Sequence, residues 1–437
     1  MALTGGKFFI QDKLVTPGLH HASFKALWET KWREPCAAGL YPFMFGAIQD
    51  FEPVVKDIIQ KDLKEPYDWD EYASCFFPKA EELVTRAIAA ENSGGREKAS
   101  ELYLRASAVY RIARFPIVRS AKQRHAWNAG KEAARKGLEL HEFPMVQVDI
   151  PHIHAQQGDG HVLPGFYHIP AHASASKKVP LVIIFTGLDG YRTELAVWKE
   201  GFRQVGCATL VVEIPGTGDN PAAPADPTSP DRLWTSMFDW VRRQDGIDQT
   251  KIVNWGFSTG GYYSIRLAHT HKDQVKGAVA HGGGCHFMFD PFWLDHADHL
   301  EYPFDLSHSL CHKYGYGTDF ERFKKEASGK FSLLEDGTLK KDCTRLLLVN
   351  GVGDEIFPVD DYYLCLLHGM AKEARYGSPT PRELKLLTDE DYRFVPDKKH
   401  MGEPESFGVI LRWISDLLDL NIDIKRFMST IPSRPKY

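Results

Sequence analysis

Gly256-Phe257-Ser258-Thr259-Gly260 is a G-x-S-x-G motif. A serine hydroxyl is barely ionised at neutral pH, so it becomes a nucleophile only beside a general base that a third group orients. That set of residues attacks carbonyl carbon and carries an acyl group on the serine. The pattern alone is weak, but its flanks give it weight. An apolar stretch, Lys251 to Trp255, precedes it, and a helix-compatible stretch, Gly261 to His271, follows. Strand, tight turn and helix put the serine on a sharp elbow above the carboxyl edge of a sheet. Gly256 and Gly260 keep side chains away where strand and helix nearly touch.

On such an elbow the chain order is nucleophile, acid, histidine. A later strand, Thr344 to Asn350, is followed by Gly351-Val352-Gly353-Asp354, which makes Asp354 the acid and Glu355 a less favoured neighbour. Asp360 and Asp361 read as caps of a helix running to Arg375. Only His368 and His400 follow Asp354. His368 lies inside that helix and reads as structural. His400 sits in a loop before an amphipathic helix that carries Phe407, Ile410, Leu411, Ile414 and Leu417 on one face, so it is the base. A tetrahedral intermediate needs hydrogen-bond donors for its oxyanion. The expected donors are the backbone N–H of Thr259 and of Leu188, the latter in the turn Thr186-Gly187-Leu188-Asp189-Gly190. His281-Gly282-Gly283-Gly284 resembles an oxyanion signature but follows the wrong strand, and reads as a turn at a strand end.

The elements that must position these residues divide near residue 143. Residues 1–143 read as a helical cap domain. Ala99, Leu102, Tyr103, Ala106, Val109, Tyr110 and Ala113 form one apolar stripe at helical spacing, with Lys98, Glu101, Arg105 and Arg111 on the other faces. An earlier helix ends at Gly94-Gly95, and a third runs from Ile117 to Leu138. Residues 144–437 read as the catalytic domain. Met145–Ile150 and Val162–Ile169 flank a Gly-Asp-Gly turn as a hairpin. Short apolar runs at 181–185, 208–212, 252–255, 277–280, 344–349 and 384–387 then alternate with helical stretches. That alternation predicts a mostly parallel sheet covered on both faces, with an antiparallel edge. The aromatic-rich segment 287–342 interrupts it. The segment reads as a helical insertion with its own packing, compatible with a lid over a pocket. Substrate-binding candidates are Asp189, Tyr191, Phe257, Phe292 and Trp293, with the Tyr191 hydroxyl as a donor to a phenolic or enolic oxygen.

Composition removes other classes. The chain has 437 residues, 43% hydrophobic, with a net charge of −5, which offers no counter-charge to a phosphate backbone. No apolar run approaches the roughly 18 residues that span a bilayer, and no signal-peptide pattern opens the chain. Seven scattered cysteines fit reduced thiols in the cytoplasm. No metal, nicotinamide or flavin site is legible, so no cofactor is expected.

Five stretches occur together: TGLDGYRTE (Thr186 to Glu194), EIPGTGDNP (Glu213 to Pro221), GFSTGGYYSIR (Gly256 to Arg266), VGDEIFPVDD and the His400-Met401-Gly402 loop. In these the chain resembles the fungal polyketide-shortening α/β-hydrolases of naphthopyrone and melanin pigment biosynthesis. It is similar, more distantly, to 2,6-dihydroxypseudooxynicotine hydrolase and the FrsA-like esterases. The resemblance covers about residue 75 to the C-terminus. It implies an α/β-hydrolase fold, a small aromatic polyketide-like substrate, cleavage of a C–C bond beside a carbonyl, and a homodimer. An esterase, a thioesterase or a biosynthetic acyltransferase or cyclase would use the same three residues. A binding protein on a hydrolase scaffold typically lacks one of them.

Overall fold

Among the described residues the apolar runs become eight strands: β1 (Val146–Pro151), β2 (Val162–His168), β3 (Val179–Phe185), β4 (Ala208–Val212), β5 (Ile247–Phe257), β6 (Gly277–His281), β7 (Arg345–Gly351) and β8 (Arg382–Leu387). They form one sheet in the order β1-β2-β4-β3-β5-β6-β7-β8. β1 pairs antiparallel with β2, and β2 with β4; every other pair is parallel. The computed structural model describes residues 20–297, 302–351, 354–367, 382–387, 400–402 and 405–431. His368 and most of the helix expected to reach Arg375 lie outside these residues; the helix described there is Asp360–Leu367.

β3 shows why the runs are continuous rather than alternating. Leu181, Ile183 and Phe185 face one buried cluster, and Val182 and Ile184 face the other. Both faces of the sheet are covered by helices, so both sets of side chains leave water, at about 1.5–3 kcal/mol for each large one. Phe185 stacks on Trp234 of the helix Ser229–Arg242 at 4.3 Å. On the opposite face the helix Glu405–Leu418 brings Ile410, Leu411 and Ile414 into the second cluster.

Residues 24–140 are helical, and the first cluster runs from the sheet into them without a break, through Leu102, Val109 and Phe115. The helix Arg96–Ala113 corrects one expectation. Arg105 and Arg111 are buried rather than turned to solvent. Helices from the first sixty residues cover the face on which they lie. Arg105 grips Asp50 with two bonds of 2.8 Å, and the Arg111 guanidinium lies 4.8 Å over the rings of Tyr41 and Phe115. The segment is pinned to the rest by further charges. Arg119 holds Asp305 with two bonds of 2.7 Å, and Trp127 Nε1 donates to Asp219 at 2.8 Å.

Candidate active site

β5 runs directly into Ser258, and the helix Thr259–Thr270 begins at the next residue. Ser258 has φ 53° and ψ −125°, a conformation that costs an L-residue on the order of 1–3 kcal/mol. Surrounding bonds impose it. Ser258 N donates to His281 O at 2.7 Å, and Gly261 N donates to Ser258 O at 2.7 Å. The crossing is as tight as the motif required: a Cβ on Gly256 would lie 2.2 Å from Gly260 O, and one on Gly260 would lie 2.4 Å from Thr186 O.

His400 lies between the serine and the acid. Its Nε2 is 2.9 Å from Ser258 Oγ and its Nδ1 is 2.9 Å from Asp354 Oδ2. With the ring proton on Nδ1, that nitrogen donates to Asp354, and Nε2 presents its lone pair to the serine proton. Asp354 is fully buried. Its Oδ1 accepts from the backbone N–H of Ile356 at 2.7 Å and of Phe357 at 3.1 Å. Its Oδ2 also accepts from Asn350 Nδ2 at 2.5 Å. A buried carboxylate bonded this fully is fixed in place and has its charge compensated.

Two residues that the sequence placed at strand ends, without a role, prove to be positioning residues. Asn350 is the last residue but one of β7; its Oδ1 accepts from Met401 N at 2.7 Å, so one amide ties Asp354 to the His400 loop. The available signal was a polar residue closing the apolar run Leu346–Val349 and buried completely. His281 does the same from behind: its Nε2 lies 2.8 Å from both Met401 O and Ser406 Oγ. The glycines after it are packed against the reactive side chains. Gly282, at φ 76°, leaves space that a Cβ would take at 2.9 Å from His400 Cε1. Asp361 is not a surface cap. Its buried carboxylate accepts from the N–H groups of Cys285, His286, Phe287 and Met288 at 2.7–3.1 Å, holding the turn after β6. Burial keeps its pKa above the ordinary value despite those donors.

The turn carrying Leu188 faces Ser258. A Cβ on Gly187 would lie 3.3 Å from Ser258 Cβ and 3.8 Å from its Oγ. Ser258, His400, Leu188, Thr259, Asp189 and Phe257 all line one cavity of about 240 Å³. Tyr191, Phe292 and Trp293 do not line it. The Tyr191 ring stands edge-on to Trp127 at 5.0 Å, with the Arg114 guanidinium 3.6 Å above it. Trp293 Nε1 donates to Ile356 O at 3.1 Å, and Phe292 lies 4.0 Å from the His296 ring. The aromatic residues of 287–342 mostly pack on each other, as Phe289, Tyr314, Phe323 and Phe331 do. That segment gives the cavity Tyr302, Pro303 and Leu306, while Trp32, Leu40, Tyr41, Met44 and Phe115 come from the first 115 residues. Among the described residues no group of three or more His, Cys, Asp or Glu could hold a metal ion. None of the described helices is long and apolar enough to cross a membrane.

Known proteins share this fold. Among solved structures, 2,6-dihydroxy-pseudo-oxynicotine hydrolase aligns with a TM-score of 0.63 and 17% identity, over 89% of this chain and 95% of its own. AbyA5 aligns at 0.60 and 16%, over 89% and 99%. At such identities the likeness shows the fold, which is that of the α/β-hydrolases. In sequence, esterase FrsA of Photobacterium profundum is 25% identical over 233 residues, 52% of this chain and 51% of the esterase. The α/β hydrolase ucsC of an Acremonium species is 29% identical over 234 residues, 49% of this chain and 47% of its own. The chain thus spans about half the length of these curated relatives. The model of the FrsA-like esterases matches residues 77–368, two-thirds of the chain, and the chain belongs to that family.

Proposed function

We propose that the protein is a serine hydrolase in which Ser258, His400 and Asp354 act as a catalytic triad, and that it cleaves a C–C bond beside a carbonyl in an aromatic, polyketide-like β-dicarbonyl compound. The observation that carries the triad is His400 within 2.9 Å of both Ser258 Oγ and Asp354 Oδ2. Ser258 Oγ attacks the ketone carbon while His400 Nε2 takes its proton, and Asp354 stabilises the imidazolium. The oxyanion accepts from the N–H groups of Leu188 and Thr259. Collapse of the tetrahedral intermediate breaks the C–C bond, and the departing enolate carbon takes the proton from His400. Water, deprotonated by His400, then cleaves the acyl-serine and releases the acid. The acidity of a carbon between two carbonyls makes it a workable leaving group. Aromatic walls, Trp32, Phe115 and Phe257, favour a flat substrate at about 0.5–1.5 kcal/mol per well-placed ring pair.

In this reading residues 1–143 are a cap domain, with the insertion 287–342 as lid, and the protein is a cytoplasmic homodimer; light scattering tests the assembly. The family's esterases favour a second reading, simple ester or thioester hydrolysis, with acyl transfer or cyclisation as variants that exclude water from the acyl-enzyme. Incubation with an aryl β-diketone and, separately, with short alkyl esters decides between them. C–C cleavage yields a carboxylic acid and a shortened ketone in equal amounts by mass spectrometry. Ester turnover with every β-diketone left intact selects the esterase.

A further inference from the structure

The cavity has a second polar centre, which the reaction above does not use. Asp189 follows Leu188 in the turn that faces the serine. Its Oδ2 accepts from the Tyr302 hydroxyl at 2.7 Å, and its Oδ1 from the Tyr41 hydroxyl. All three residues line the cavity, and Asp189 and Tyr302 are only 7% and 8% exposed. They come from three separate parts of the chain, which gives the cluster the character of a built site.

The charges around it balance. Arg114 Nη1 donates to the Asp189 carbonyl at 2.9 Å, and its Nη2 donates to Glu194. Arg111 lies over the Tyr41 ring, with its Nε 3.3 Å from Glu194 Oε1. Two carboxylates meet two guanidiniums, so this cluster has no net charge to offer an ammonium or a carboxylate; Lys31 also lines the cavity. Each phenol has one proton and donates it to Asp189. Burial, and after it the carboxylate beside them, raises both phenol pKa values well above the ordinary one, so the protons stay. What the Tyr302 and Asp189 oxygens offer a ligand is acceptor lone pairs. The group that satisfies them without adding charge is a hydroxyl, and an acidic phenol or enol is a stronger donor than an alkyl alcohol.

We propose that Asp189, with Tyr302 and Tyr41, forms a subsite that binds a neutral phenolic or enolic hydroxyl of the substrate and so orients the substrate against Ser258. This deepens the hydrolase reading, on which it rests for the position of the reacting carbonyl. The subsite replaces Tyr191 as the place where a substrate hydroxyl is met. Its polarity is also the reverse of that expectation, because it accepts where Tyr191 was to donate.

Binding to the inactive Ser258→Ala protein tests the subsite apart from any reaction. The probes are the 2-, 3- and 4-hydroxyphenyl isomers of 1-arylbutane-1,3-dione and their methyl ethers, titrated by calorimetry. At one ring position or more, the phenol should bind about tenfold or more tightly than its ether, since a buried acceptor loses its donor in the ether. Adding Asp189→Asn, which sets a donor where there were acceptors only, should reduce that ratio to about two or less. Equal affinity of every phenol and its ether in the Ser258→Ala protein overturns the proposal, and needs no second variant. A ratio that survives Asp189→Asn overturns it as well. Whether the intact enzyme then breaks the C–C bond of the same diketones is read separately from the products. A failed subsite and a failed reaction are therefore distinct results.

Discussion

Ser258 and Asp189 line the same cavity, but different parts of the chain hold them in place. Ser258, Asp354 and His400 are fixed by the sheet's own strand ends: His281 closes β6, Asn350 is the last residue but one of β7, and both reach the His400 loop. The Asp189 turn is held from outside the sheet. Arg114, just past the helix Arg96–Ala113, bonds its carbonyl, while Tyr41 and Tyr302 bond its carboxylate. The first set of contacts is intrinsic to an elbow on a parallel sheet. Of the second, the Arg114 and Tyr41 contacts exist only while the N-terminal segment is docked, and the Tyr302 contact comes from the segment 287–342. The reactive side should therefore respond to substitutions near the strand ends, and the facing side to substitutions far from the chemistry.

The largest expected effects lie on the reactive side. Ser258→Ala should abolish turnover with the fold intact. Asp354→Asn and His400→Ala should each lower kcat by on the order of 10³ or more, measured by steady-state assay on whichever substrate the product screen identifies. Full activity in Asp354→Asn would remove Asp354 from the triad. Asn350→Ala comes next. Loss of its amide leaves Met401 N–H without its acceptor and Asp354 with one donor fewer, so His400 is held less well. A fall in kcat of about 10- to 100-fold with KM little changed is the expected split. A rise in KM alone would mean that Asn350 shapes the cavity rather than the proton path.

The same contrast explains what was legible in the sequence. Ser258 follows β5, Asp354 follows β7 and His400 comes after β8, and a parallel sheet brings those ends to one edge. Apolar runs located the strands, so Ser258, Asp354 and His400 followed. The facing wall has no such rule. Tyr41, Tyr302 and Arg114 meet Asp189 across 148, 113 and 75 residues, and nothing local marks them. Adjacency misled at Tyr191: it directly follows the oxyanion turn, yet its ring turns to Trp127 and Arg114. Charge misled at Arg111, because a guanidinium on a helix reads as solvent-facing until a partner carboxylate and aromatic faces are known. Aromatic richness misled at Phe292 and Trp293, which turn to His296 and to the Ile356 carbonyl rather than to the cavity.

Arg114→Met sharpens the comparison from the other side. The variant keeps the bulk but removes the donor to the Asp189 carbonyl and one of the two guanidiniums at Glu194. Leaving a buried carboxylate short of a partner costs on the order of 3 kcal/mol, so the melting temperature should fall. The oxyanion turn should also loosen, lowering kcat by about tenfold. Calorimetry and kinetics together check this. A variant that melts lower but turns over at the wild-type rate would show that the N-terminal helices only cover the turn and do not position it.

The smallest effect on turnover is expected at the far end of the helix that begins beside Ser258. His271 follows Thr270, the last residue of that helix, and contacts Thr235 Oγ1 at 3.1 Å and the Phe238 ring at 5.6 Å. Burial lowers its pKa to about 4 from 6.5, more than nearby Asp231 raises it. Between those values the unfolded chain takes up a proton that the folded chain does not. Folding stability contributed by neutral His271 is therefore complete above pH 6.5 and is lost as pH falls towards 4, by on the order of 3 kcal/mol. His271→Gln retains a polar partner for Thr235 and cannot titrate. Denaturant melts at about pH 7 and about pH 4.5 should show a smaller acid loss in the variant, by about one bound proton in slope. Turnover at neutral pH should be unchanged, because His271 sits one full helix length from Ser258, and that helix spans about 18 Å from Thr259 to Thr270. An equal acid loss in both proteins would assign it to other buried groups. A loss of turnover would show that the elbow is sensitive to its helix's far end, and so less self-contained than its strand-end contacts make it.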